Sequence, residues 1–105
     1  MIMLITTGSH IEGKEIKQYL GIVRGIVVRS PTITQGLLGG LKSIVGGKIG
    51  AYSEMCEHAR EEAYQLMLEH AQKLNANGII AMRYDTGEIG QVGTEVLCYG
   101  TAVII

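Results

Sequence analysis

Tyr52–Leu74, reading YSEMCEHAREEAYQLMLEHAQKL, is the stretch that decides the fold. Ser53 suits a helix N-cap, with Glu54, Glu57, Glu61 and Glu62 in the turns behind it. His70 and Lys73 fall at the far end, so the charges match the helix dipole at both termini. Asn77-Gly78 supplies the stop. At about 100° per residue, Tyr52, Cys56, Ala59, Ala63, Leu66, Met67, His70 and Leu74 share one face. Tyr64, Leu68 and Ala71 form a second apolar stripe beside it. The two together span roughly 200° over the C-terminal half, where an ordinary surface helix needs about 100°. One face therefore covers this chain's own sheet. The other, carried by Tyr64, Leu68 and Ala71, is expected to meet a second copy.

Around this helix the chain reads as strands. Ile2 to Thr6 is a short strand ended by Gly8-Ser9-His10. Ile16 to Val28 is rich in β-branched residues, and Gly21 and Gly25 within it point to bulges or a close backbone approach. Ser30-Pro31-Thr32 opens a second, shorter helix with Ile33, Leu37, Leu41, Ile44 and Val45 at helical spacing, ended by Gly46-Gly47. After the long helix come a strand over Ile79 to Tyr84, a turn at Asp85-Thr86-Gly87, and a last strand from Glu95 to Ile105. Its closing run, Thr101-Ala102-Val103-Ile104-Ile105, belongs in the middle of a sheet or in an interface. The fold class expected is α+β in one domain over residues 1–105. Its order is β-β-α-α-β-β, an antiparallel or mixed sheet with helices on one face.

Composition narrows the function. The 105 residues are 47% hydrophobic and 18% charged, with five Tyr and neither Trp nor Phe. Such a core is built from Ile, Val, Leu, Met and Ala, and a domain this small gains stability by self-association. The net charge is −1, with nine scattered basic residues and no basic stripe, which argues against nucleic acid as a partner. No tract approaches the ~18 apolar residues of a membrane span. Cys56 and Cys98 make no disulfide framework, and the expected location is the cytoplasm.

Several blocks together resemble the YbjQ family: Gly46-Gly47-Lys48-Ile49-Gly50-Ala51-Tyr52, Ala59-Arg60-Glu61 with Ala63 and Met67, Leu74-Asn75-Ala76-Asn77, and Gly100-Thr101-Ala102-Val103. Thr6-Thr7 and Tyr19-Leu20-Gly21-Ile22-Val23 fit as well. The resemblance implies a small bacterial domain with a dodecin-like sheet, assembling as a ring, usually a homopentamer. It also implies a heavy-metal-binding label without a settled biochemical function. Lys48 stands where the family mostly has Arg, Asn75 where it mostly has Gly, and Gly78 where Ala is usual.

The label makes a divalent or soft metal ion the first cofactor to weigh, with Cys56 and His70 as donors. The sequence has no C-x-x-C or H-x-x-x-H pair to hold structural zinc. Cys56 and His58 point ~200° apart on a helix. Cys56 and His70 lie roughly 21 Å apart along it, too far to share one ion within a chain. Cys56 and Cys98 read equally as small buried hydrophobes. His70 is either a satisfied core histidine or a ligand that meets its symmetry mates on a ring axis.

Gly47-Lys48 lacks the Gly at 42 and the Ser or Thr at 49 that a phosphate loop needs, and no G-x-G-x-x-G occurs. What remains is an anion site at Gly46, Gly47 and Lys48 with Tyr52 and Arg60 nearby, or a tight turn in which the glycines serve geometry. Arg60 also suits a structural ion pair with Glu61 or Asp85. The functional expectation is a non-enzymatic homo-oligomer that binds a small ligand or metal ion. The alternatives are a small enzyme with an intersubunit site near Lys48, Tyr52 and Arg60, and a structural interaction module.

Overall fold

The computed structural model describes residues 2–29, 48–90 and 93–105, with helix side chains described from Glu54 onward except Met55. The expected helix behind Pro31 and the glycines 46 and 47 lie outside the described residues. Those that are described form an α+β domain in the order β1 (Leu4–Ile5), β2 (Gln18–Arg29), α1 (Lys48–Lys73), β3 (Gly78–Ile89) and β4 (Gly93–Ile104). The strands make one mixed sheet in the order β1-β3-β4-β2. β1 runs parallel to β3, and β4 pairs antiparallel with both β3 and β2.

Strand β2 shows the period of a strand buried on one face. Val23, Gly25 and Val27 point inward, while Ile22, Arg24, Ile26 and Val28 are exposed. The bulge expected near Gly21 sits between Tyr19 and Gly21, where Gly21 takes a φ of 105°. Gly25 serves the close approach. A Cβ there would lie 2.6 Å from the Met67 amide nitrogen and 2.7 Å from the Leu66 Cβ. Only a residue without a side chain lets α1 lie this low on the sheet. The helix answers with small residues: Ala59, Ala63 and Ala71 are buried with Met67 against Val23, Val27, Ile79, Val96, Cys98 and Ala102.

Four expectations need correction. The helix begins at Lys48 rather than at Ser53, which lies inside it. A lone Ser followed by glutamates reads the same at a cap and on an exposed helix face, so the sequence signal misplaced the start. The helix ends at Lys73 and is capped at Asn75 rather than at Asn77-Gly78. Asn75 has a φ of 62°, its amide donates to the Gln72 carbonyl at 3.0 Å, and the Ala76 amide donates to the Ala71 carbonyl at 3.1 Å. This pair of bonds around a left-handed residue is a Schellman cap. Asp85-Thr86-Gly87 is strand, not turn, because β4 pairs with all three (Asp85↔Leu97, Thr86↔Val96, Gly87↔Glu95). Finally, Ala71 is fully buried in this chain's own core and offers nothing to a second copy. The face laid on the sheet falls between the two stripes, which leaves Leu66 and Leu74 exposed and Tyr64 and Leu68 half-buried against the core.

The last strand lies centrally in the sheet, with Ala102 and Val103 fully buried, as its apolar run required. Among the described residues no helix is long and apolar enough to cross a membrane.

Candidate functional site

The inward face of the sheet is ordered in rows by register. Gly25 sits beside Cys98 and Tyr84, Val27 beside Val96 and Thr86, and Arg29 beside Thr94 and Glu88. At the first row the helix touches the sheet backbone. Two rows further on there is room for a cleft of about 270 Å³, so helix and sheet separate between them. The cleft is lined by Arg29 of β2, Cys56, Ala59 and Arg60 of α1, Thr86 of β3, and Thr94 and Val96 of β4. Ala59 and Val96 are buried and form an apolar floor. Arg29 is half-buried, and Cys56, Arg60, Thr86 and Thr94 are exposed around the rim.

The rim carries two guanidinium groups. Arg29 Nη2 donates to Glu62 Oε2 at 2.7 Å, tying the end of β2 to the helix. Arg60 Nη1 stands 3.5 Å from Glu57 Oε1, one turn back on the same helix. The partner is thus Glu57 of the same helix, where the sequence pointed to Glu61 or Asp85. Each guanidinium has five N–H donors, so one carboxylate apiece leaves several free. Together with two threonine hydroxyls and one thiol among the described lining residues, the two guanidiniums give the cleft donors for an anion.

Two residues singled out in the sequence, Cys56 and Arg60, come together here. Arg29, Thr86 and Thr94 were missed. Arg29 shares the inward parity of Val23 and Val27, a signal that was present in the sequence. Thr86 was hidden by its reading as a turn. Lys48 and Tyr52 belong to the first turns of α1, where side chains are not described.

The sulfur and imidazole donors separate. Cys56 is exposed at the cleft, which corrects its reading as a buried hydrophobe. Cys98 is fully buried beneath α1, where its thiol donates to the Met67 thioether at 3.6 Å. Burial pushes that thiol up from its ordinary 9.0 to about 11, so it stays protonated at neutral pH. His70 Nδ1 accepts the backbone N–H of Arg24 at 3.2 Å, which ties the helix to β2.

All three His, both Cys and all ten Asp and Glu of the chain fall among the described residues. No three of them come close enough to hold a metal ion. The donor set of one chain therefore does not fit a resident zinc ion, which needs at least three such protein ligands.

A family model for YbjQ proteins, described as "Putative heavy-metal-binding", matches residues 3–105. A UPF0145 protein of Legionella pneumophila strain Philadelphia 1 is 89% identical over 105 residues, with both chains covered in full. A UPF0145 protein of Francisella philomiragia is 53% identical, covering 98% of this chain and 99% of its own. A crystal structure from Pediococcus pentosaceus, of a protein with unknown function in the DUF74 family, matches with a TM-score of 0.61 at 25% identity. That match covers 98% of this chain and 97% of the other.

Proposed function

The chain belongs to the YbjQ family, and from that premise we propose that it acts in the cytoplasm as a non-enzymatic homo-oligomer, a ring of identical copies that presents small-ligand sites. The observation that carries this reading is strand β2. It stands at the edge of the sheet, is 12 residues long, and lacks proline. On it Tyr19 is 66%, Ile22 68%, Ile26 50% and Val28 50% exposed. A long apolar edge is a template for pairing with another chain, and natural sheets blunt or cover such edges. Here Gln18, Arg24 and Arg29 are the polar residues of the strand, and Arg24 alone lies between the exposed Ile22 and Ile26, so a second copy of the same chain is the natural cover.

The oligomer interface proposed is thus centred on β2, while Tyr64 and Leu68, on the flank of α1 away from the Glu62 and His70 contacts to β2, would belong to a second, separate contact. The family's pentamer is the assembly favoured for it. Heavy-metal binding at three or more His, Cys, Asp or Glu donors requires ligands from more than one copy, and His70 can ligate through Nε2 only by releasing its Arg24 contact and moving the ring proton to Nδ1.

Native mass spectrometry tests the assembly. The unchanged protein should fly as a closed oligomer, and Ile22→Lys with Ile26→Lys should move it toward monomer with the far-ultraviolet spectrum preserved. A double variant that keeps the parent mass would remove β2 from the interface and overturn this reading.

A further inference from the structure

We propose that the cleft between α1 and the far end of the β2–β4 pair is a binding site for a small organic monocarboxylate with an apolar body. The inference is independent of subunit number, and three features of the cleft carry it.

The first is size. About 270 Å³ lies just under the ~300–1,000 Å³ usual for small-molecule sites, which suits a compact acid better than a nucleotide. The second is the division of chemistry. The floor, Ala59 and Val96, is apolar and buried, while the polar groups stand at the rim. A bare inorganic anion would leave that floor uncovered, whereas an aromatic or branched aliphatic group would fill it. The third is the pair of guanidiniums. A carboxylate is planar, and the guanidinium fork matches it in a bidentate way that a lysine does not. Arg60 is the more available of the two, because its contact with Glu57 is loose at 3.5 Å. Arg29 is anchored by Glu62 at 2.7 Å and offers its remaining N–H groups from a fixed position. Thr94 adds a hydroxyl in the same register row as Arg29.

The cleft contains its own reporter. Cys56 lines it and is exposed, and Cys98 is buried elsewhere in the core. Alkylation by neutral iodoacetamide, followed by mass spectrometry of the intact protein and its peptides, reads occupancy at Cys56. Cys98 serves as the internal control.

The probes are benzoate and isobutyrate at millimolar concentration, with benzamide and inorganic phosphate as comparators. Benzoate and isobutyrate are expected to slow alkylation of Cys56, and benzamide and phosphate to leave it unchanged. Arg60→Gln, an exposed substitution that spares the Arg29–Glu62 contact, should weaken protection about tenfold. Arg24→Gln, on the opposite sheet face, should not. No protection by either acid overturns the proposal, as does equal protection by benzamide. Equal protection by phosphate overturns the apolar-body assignment and leaves an anion site only. Retained protection in a natively melting Arg60→Gln variant removes the guanidinium from the recognition.

Discussion

Gly25 and Asn75 are positions where a single side chain decides whether the fold closes. A Cβ at position 25 would meet the helix backbone at Ala63 and Met67, and a backbone cannot step aside as a flexible side chain can. Gly25→Ala is therefore expected to lower stability by about 3 kcal/mol, the upper end of overpacking costs, read as an earlier urea midpoint. A midpoint within experimental error of the parent would mean that the helix sits higher than described. At Asn75 the left-handed φ limits the choice of residue: glycine carries no steric penalty there, and asparagine is the next best. Cys98 brings a pH dependence. Its thiol is raised from 9.0 to about 11, so the unfolded chain gives up this proton first. The stability it contributes is whole below pH 9 and is lost as pH climbs toward 11. Tyr64 and Tyr84, raised chiefly by burial, act in the same direction at higher pH. Urea titrations across this range should show a shallower alkaline decline for Cys98→Ala than for the parent, and identical slopes would mean that the thiol is already ionised or accessible.

Among the elements, the junction of α1 and β3 is held by side-chain bonds as well as by the ladder. Asn77 Nδ2 donates to the Ile105 carbonyl at 3.0 Å, and the Ile105 amide donates to Asn77 Oδ1 at 2.7 Å. Its backbone also accepts from Leu4 and donates to Val103, so three strands meet at one residue. Asn77→Ala should cost about 1–3 kcal/mol, two part-buried hydrogen bonds, and should hasten amide exchange at Ile105. Protection at Ile105 equal to the parent's would mean that water replaces the side chain. The sequence shows why such details escaped a reading by pattern. Val23, Val27 and the apolar run after Thr101 announced their strands, because alternation and β-branching are local properties. Ser53 and Asn77-Gly78 misled because capping residues are common on exposed helix faces and in tight junctions alike. Asp85-Thr86-Gly87 misled because pairing with Leu97 and its neighbours overrode a turn-like composition. The cleft was half legible: Cys56 and Arg60 were singled out, but only the sheet register brings Arg29, Thr86 and Thr94 to them.

At the scale of the whole molecule, the surface and the interior call for different companions. The interior is complete among the described residues, with every buried side-chain polar atom satisfied. The outer face of β2 is not covered among the described residues, with Ile22, Ile26 and Val28 exposed on it. If copies cover that face, the thermal midpoint rises with protein concentration, and the Ile22→Lys, Ile26→Lys double variant loses the dependence. The strand order has another consequence. The inner strands β3 and β4 are the last to be synthesised, and the outer strands β1 and β2 are the first. Leu4 pairs with Gly78, and Gln18 with Ile104, so among the described strands β1 meets its partner only after β3, and β2 only after β4, has left the ribosome. The order of synthesis thus runs against the order of assembly. The apolar β2 must wait through most of translation with both of its edges unpaired, a window in which a nascent-chain chaperone has a ready substrate.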